Sequence, residues 1–431
     1  MRSILLKQAS FWVLPFFLIF FIAIQAYISA FVYGDYLALT ILLVALVALV
    51  SYLAGGCMSL LIGARRELNV DGWKGSVFRL LCGLYLGSYL GLYYYNGGVP
   101  ILELYLHGGV SSLLRASFYK EQEGVALVLV YIRSLLTRGF IPFAIVVLFC
   151  TKTRFKFYVY LIVVCCLSVS AMEKSLLIWA VAPLLFFQLV ARLKADIIRT
   201  LAIFALLFCF VSYLSLGDKD DLAVGSARPA VPEVGWLVNE LPKFPHAQSG
   251  NGRVMPVALY NEPNYQFEFY DVQEQNKLDY MLNRVVWIPF VTVYDTVLYW
   301  KKSSKPMLVF GVNRYLASLF GYEFSDLERQ VFRFQYGSGE GSLGNANAAY
   351  IAEAYVGFGY TGVAIISLIV GLMYGWVVRA GVLPFICALP VISFGLLSAS
   401  FLSMLFSGGL MVFLICVLFF SRKVKRDLPC L

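Results

Sequence analysis

Charge is what this sequence has least of. Only 14% of its 431 residues are Asp, Glu, Lys or Arg, against 60% apolar ones, and the mean hydropathy is +0.78. Soluble domains carry about 25% charged residues and rarely pass half apolar, so the composition calls for lipid as solvent. Histidine is nearly absent. His107 and His246 are the only two, which rules out a His-rich metal site. Nine cysteines occur, but none lies in the polar stretch 217–349 and none shows a Cys-x-x-Cys or zinc spacing; Cys165 and Cys166 are adjacent in an apolar run. They read as small apolar filler. No internal repeat, low-complexity tract or nucleic-acid-binding module is visible, and no inverted-repeat symmetry of the kind many transporters show.

What remains is a series of long apolar runs without the two-residue alternation of a barrel. Lipid offers no partner to a backbone N–H, so these runs must be helices. Ten spans are expected, at 11–31, 36–61, 77–95, 125–150, 157–171, 175–191, 200–216, 360–378, 383–404 and 408–420. The first is too long for a signal peptide and no clear cleavage site follows it, so it reads as an uncleaved span. The chain thus divides into an N-terminal membrane region, 1–216, a large loop, 217–349, and a C-terminal membrane region, 350–431.

Basic residues set the orientation. With Arg2 and Lys7 in the cytoplasm, each short link carrying Arg65, Arg66 and Lys74, then Lys152, Arg154 and Lys156, then Arg192, Lys194 and Arg199, then Arg379, also falls there. So does the C-terminal tail with Arg422, Lys423, Lys425 and Arg426. The large loop holds 12 Lys/Arg against 15 Asp/Glu, a net −3, so the remainder must be +12 to give the whole chain's +9. The basic excess is cytoplasmic anchoring on anionic lipid rather than a nucleic-acid footprint.

The loop itself is not uniform. Its first part is polar and turn-rich, while 274–300 has apolar residues near helical spacing, broken by a proline kink at Pro289. Trp287, Tyr294, Tyr299 and Trp300 suit a helix lying at headgroup level. "GSGEGSLGN" is only loosely like a phosphate loop and lacks the Gly-Lys-Ser/Thr ending, so no nucleotide site is expected. Gly371 and Gly375 form a small-xxx-small pair suited to helix packing.

Several side chains could carry chemistry. Arg133 and Arg138 lie inside the apolar run "VALVLVYIRSLLTRGFIPFAIVVLF". An arginine in a membrane core is costly, by about 2.5–3.5 kcal/mol on insertion scales, and normally faces a cavity or a partner. The functional reading is an outward-open site where guanidinium groups hold a phosphate. The alternative is a span that starts later, with Arg133 snorkelling at the interface. Glu173 and Lys174 sit at an outer hairpin, either as solvated end charges or with Lys174 facing the same cavity. Arg284, Arg314, Arg329 and Arg333 in the large loop, with Arg115 in the shorter outer link, matter as a set, although surface charges are mostly just solvated. Glu353 is the one acid near the entry of span eight and suits a general base toward a sugar hydroxyl, or else an interfacial helix cap. Asp295, Glu323 and His246 are weaker candidates for the base.

The segment "GNANAAYIAEAYVGFGYTGVAIISLIVGLMYG" resembles the Wzy-type oligosaccharide repeat-unit polymerases, which often show Glu-x-Tyr, then Phe-Gly-x-x-Gly, leading into a span. Glu353, Tyr355, Phe358, Gly359 and Gly362 match, and Lys174 stands near where many members carry a basic residue. The motif covers about 30 residues; the layout of spans and one late loop covers the whole chain. The resemblance implies an all-α polytopic inner-membrane protein of glycosyltransferase-C-like fold with a periplasmic loop. It implies that a glycan on undecaprenyl diphosphate is moved onto a new lipid-linked repeat unit. Glu353 would be the base, and Arg133, Arg138, Lys174, Arg284, Arg314 and Arg333 would bind diphosphate or substrate. No cofactor is expected, since the donor's phosphoester linkage supplies the energy. Partners would be the lipid-linked glycan, membrane lipid and a chain-length regulator protein, and no nucleic acid. An O-antigen ligase or a lipid-linked oligosaccharide flippase is the competing reading.

Overall fold

The computed structural model describes residues 2–32, 34–62, 65–107, 117–119, 122–214, 286, 288–302, 314–336, 346 and 349–423. Within them it is almost wholly helical, as lipid requires. The elements are α1 (Arg2–Leu18), a π-helical turn (Ile19–Ala23), α2 (Ile24–Val32), α3 (Tyr36–Ile62), α4 (Gly72–Tyr95), α5 (Pro100–His107) and α6 (Gly124–Leu135). A second π-helical turn (Leu136–Phe140) leads to α7 (Ile141–Thr151), α8 (Arg154–Ser170), α9 (Lys174–Ala191) and α10 (Lys194–Leu214). After these come α11 (Ile288–Lys302), α12 (Arg314–Phe320), α13 (Leu327–Tyr336), α14 (Tyr350–Ala380), α15 (Leu383–Ser398), α16 (Phe401–Leu405) and α17 (Leu410–Phe419).

The protein is an all-α membrane protein. Five continuous helical stretches, Gln8–Val32, Tyr36–Leu61, Gly72–Tyr95, Gly124–Thr151 and Tyr350–Ala380, are long and apolar enough to cross a bilayer. Ser175–Ala191, Leu383–Ser398 and Leu410–Phe419 are shorter apolar helices. The ninth expected span, 383–404, is not continuous. It breaks at the extended residues Ala399 and Ser400 before the five-residue α16. Gly381, left-handed at φ 77°, ends α14, and Pro384 in the first turn starts α15.

The tightest helix contact joins α3 to α14. A Cβ on Gly371 would stand 2.0 Å from the Tyr52 carbonyl oxygen, and one on Gly55 would stand 2.0 Å from that of Leu368. Gly375 sits as closely against Ser59 and Gly56. The small-xxx-small pair therefore packs backbone against backbone, as expected. Tyr52 and Tyr374 meet edge to face beside this crossing. Tyr52 donates to the Phe11 carbonyl at 2.8 Å, and the Tyr374 hydroxyl pairs with that of Ser393 at 3.0 Å, so α1, α3, α14 and α15 share one cluster.

One end of the bundle is marked by an antiparallel ribbon of Arg66–Leu68 (β1) and Ser421–Lys423 (β2), with Glu67 paired to Arg422. Arg66 lies 5.6 Å from the Trp376 ring centroid near the end of α14. At the opposite end stand the α2–α3 turn, the last residues of α4 and the α8–α9 hairpin, where Tyr93 hydrogen-bonds Ser170.

The described part of the large loop differs from expectation. The helix over 288–302 is packed within protein rather than laid open on lipid. Residues 290–298 are all buried, Asp295 and Tyr294 completely, between α3, α13, α14 and the first π-helical turn. Pro289 is the second residue of α11 as bounded here, and Val286 before it is already helical. The apolar face expected to meet lipid is used against protein instead. Trp287, the first part of the loop and "GSGEGSLGN" lie outside the described residues.

The Gly371 contact yields a direct test. Gly371→Leu pushes two backbones apart and should lower stability by about 1–3 kcal/mol, as overpacking does. Thermal unfolding of the protein in nanodiscs measures this. Gly83→Ala, where a Cβ meets nothing within 4 Å, should leave the midpoint nearly unchanged.

Candidate functional site

Arg133 occupies the last turn of α6, just before the π-helical turn. The Thr137 hydroxyl donates to the Arg133 carbonyl at 2.6 Å, which ties the turn to the helix. The guanidinium is neither snorkelling nor facing lipid: Arg133 is only 5% exposed. Its Nη2 donates to Glu173 Oε1 at 3.0 Å, across from the α8–α9 hairpin. The Tyr119 ring lies 4.0 Å from its carbon centre and the Tyr89 ring 5.6 Å, both within reach of a cation–π attraction. Its Nε and Nη1 find no hydrogen-bond partner among the described residues. Burial pushes the Tyr119 phenol above its ordinary range, against the pull of the Arg133 charge.

Tyr85, Tyr89 and Tyr93 recur every four residues on α4 and so share the face turned toward this guanidinium. Buried tyrosine carries an apolar ring, which packs, and a polar tip, which calls for a hydrogen-bond partner. Among described residues the hydroxyls of Tyr85, Tyr89 and Tyr119 make no well-formed hydrogen bond. Arg138, half-buried in the π-helical turn, is near enough for its charge to act on both Arg133 and Glu173; its Nε is unpartnered too. The turn is braced from the other side. Gly139 and Gly409 touch through their backbones, and Ser134 donates to the Ser407 carbonyl at 3.3 Å.

Glu353 is buried, 4% exposed, on the first turn of α14. Its Oε2 accepts from the Phe401 backbone N–H at 2.9 Å, so it caps the short α16 beyond the break. The motif that follows explains its placement. Phe358 and Gly359 leave helical geometry, Gly359 at φ 63° and ψ −153°, a region essentially reserved for glycine. Gly362 lets the next turn lie against the Ala354 carbonyl, where a Cβ would come within 2.5 Å. Phe-Gly-x-x-Gly is thus a kink that separates the Glu353 turn from the apolar length of α14. The broken segment 399–409 links the two groups of polar residues, because it meets Glu353 at Phe401 and the Arg133 helix at Ser407.

The other candidates fare unequally. Lys174 begins α9, but its side chain lies outside the described residues, as do those of Arg314 on α12 and Arg333 on α13. Arg284, Arg115 and His246 lie outside them altogether. Arg329 pairs locally with Asp326 at 3.5 Å, and Glu323 is exposed in a turn. At the hairpin, Glu173 is the partner of Arg133, a pairing that the adjacent charged residues Glu173 and Lys174 do not distinguish in sequence. The tyrosine face of α4 was missed as well, although its four-residue spacing was a usable signal.

Glu328, on α13, is close enough for its charge to act on Glu353. α13 packs Leu327 and Val331 against Val356 of α14. Burial first, and the Asp326 carboxylate second, push the Glu328 carboxyl up to about 7. No family model, curated protein or solved structure matches this chain.

Two predictions follow from this geometry. Arg133→Ala leaves the half-buried Glu173 carboxylate without its partner and should cost about 2–3 kcal/mol, whereas the Arg133→Ala/Glu173→Ala pair should cost clearly less than the sum of the singles. A double-mutant cycle on thermal unfolding reads the difference. For Glu328 the folded value, about 7, exceeds the ordinary 4.5, so the fold favours its neutral form. Its contribution to stability is complete below the ordinary value and is lost as pH rises through about 7. Hydrogen exchange of α13 between pH 5 and 8 should therefore quicken with pH beyond its intrinsic rate, and Glu328→Gln should remove that excess.

Proposed function

We propose that this protein is a membrane glycosyltransferase that polymerises lipid-diphosphate-linked oligosaccharide units, with its site at the bundle end opposite the basic ribbon. One observation carries the reading: Arg133 is enclosed in an apolar bundle with two nitrogens that find no partner among the described residues, a second arginine nearby and a wall of tyrosines. Burying a guanidinium is costly, and a protein that keeps one with open donors has a use for them. An anionic group that arrives and leaves at the membrane surface meets that description, and a diphosphate on a lipid does so best. The resemblance of "AEAYVGFGYTG" to Wzy-type polymerases supports the same reaction.

On this reading the chain crosses the bacterial inner membrane about ten times. Both termini and the basic ribbon are cytoplasmic and the large loop is periplasmic. The acceptor sugar hydroxyl attacks the anomeric carbon of the donor glycan. A new C–O bond forms, the bond to the lipid diphosphate breaks, and the leaving oxygen takes the electron pair. Arg133 and Arg138 stabilise the charge that develops there, within a site that excludes bulk water. Glu353 takes the hydroxyl proton, with its second oxygen held by the Phe401 N–H. The bound partners are the lipid-linked glycan and membrane lipid; a chain-length regulator is the family's protein partner.

Deletion in the native cells, followed by gel analysis of surface glycan, tests the reading. The expected result is core bearing a single repeat unit, with the full ladder restored by the wild-type chain. Glu353→Gln keeps an acceptor for Phe401 and should restore protein level without the ladder; Arg284→Ala should behave likewise. Bare core after deletion would identify a ligase or flippase instead, and full ladders from both variants would remove those residues from the site.

A further inference from the structure

The contact between Arg133 and Glu173 has a stereochemical peculiarity. A guanidinium can grip two oxygens along either of two edges, Nε with Nη2 or Nη1 with Nη2. Nη2 belongs to both. In this structure Nη2 is the nitrogen that Glu173 holds, at 3.0 Å, while Nε and Nη1 are unpartnered among the described residues. Nη2 carries one N–H for each edge, so while Glu173 holds one of them a phosphate can grip Arg133 along the other edge only, and a diphosphate can take both edges only when Glu173 gives up its hydrogen bond. The Glu173 carboxylate also lowers the local charge: beside Arg133 and Arg138 it leaves one net positive charge among these three groups where two would otherwise stand.

We propose that Glu173 is a built-in competitor for the diphosphate at Arg133, and that it sets how readily the spent lipid diphosphate leaves. This rests on the assignment of the Arg133 site to a lipid diphosphate made above. The physical case is one of balance. Two arginines enclosed in low-dielectric surroundings and facing a diphosphate would bind substrate and product alike, and uniform tight binding does nothing for turnover. A carboxylate that returns to Nη2 as the diphosphate departs supplies the arginine with a partner in the empty site. The released state then contains no stranded buried cation, which is the state that would otherwise hold the product back. Glu173 suits the part by position. It lies in the hairpin just before α9, where its backbone is extended rather than helical, and its side chain is more open than that of Arg133. Tyr119 and Tyr89 keep the guanidinium in place while the carboxylate swings away, because ring contact needs no hydrogen bond from it.

The test uses the full chain in nanodiscs, with farnesyl diphosphate as probe and the salt concentration held constant. In Glu173→Gln the amide oxygen still accepts from Nη2 but the charge is gone, so affinity should rise about tenfold, equivalent to about 1.4 kcal/mol. Dissociation of the probe should slow by a similar factor, and Arg133→Gln should abolish binding in both backgrounds. If Glu173→Gln binds no tighter than wild type while Arg133→Gln still abolishes binding, the competitor role is overturned and the site assignment stands. If Arg133→Gln binds like wild type, or wild type and Glu173→Gln both fail to bind, the site assignment falls and the competitor role with it. A thermal transition confirms folding of each variant. Should Glu173→Gln lack one, Glu173→Asp decides: its shorter reach should tighten binding, and wild-type affinity would overturn the proposal.

Discussion

Two helices nearly three hundred residues apart in the chain touch backbone to backbone, and the arrangement of the membrane region depends on that contact. Apolar surface gains little by leaving lipid for another apolar helix, so association has to come from close packing and polar pairing. Gly55, Gly56, Gly371 and Gly375 remove the side chains that would hold α3 and α14 apart. The approach brings Tyr52 against Tyr374, and through Phe11 and Ser393 it draws in α1 and α15. Once α14 is held there, the kink at Phe358 and Gly359 decides where its first two turns go. Glu353 reaches the backbone of Phe401 as a result.

The same solvent that favours tight packing makes every buried polar group a demand for a partner. At the ribbon end the demand is met in larger part, with Glu67 on Arg422 and Asp196 between Arg154 and Arg199, although the Arg66 Nε has no partner among the described residues. At the opposite end it is met only in part. Arg133 has one carboxylate and two rings, and leaves two nitrogens unused; three neighbouring tyrosines lack well-formed hydrogen bonds among the described residues. Helical geometry also relaxes there, with a π-helical turn at 136–140 and an extended break at 399–400. Non-helical backbone within a membrane protein is tolerated where protein encloses it or water lines it. Around Arg133, unmet donors lie beside relaxed backbone.

Much of the candidate site was legible and much was not. Arg133 and Arg138 stood out because a charge in an apolar run is rare. Glu353 stood out because it is a lone acid beside a span, yet its bond to Phe401 comes from a segment 48 residues away and leaves no trace in sequence spacing. Glu173 and Lys174 are adjacent and both charged, so only the positions of α6 and the α8–α9 hairpin decide which of them meets Arg133. The helix at 288–302 misled for a related reason. An amphipathic, aromatic helix has the same pattern whether its apolar face meets lipid or other helices, and here Asp295 and the threonines beside it are buried as well.

The sequence by itself determined the solvent, the helical class, the positions of the long apolar helices and the gathering of basic links at one end of the bundle. Those follow from composition and local pattern, because a backbone in lipid has almost no alternative to helix. Tertiary structure alone decided which carboxylate pairs with Arg133, why Phe-Gly-x-x-Gly follows Glu353, where the ninth apolar run breaks and which way the aromatic loop helix faces. Each of these depends on groups brought together across long stretches of chain, and contact at such range has no periodic signature.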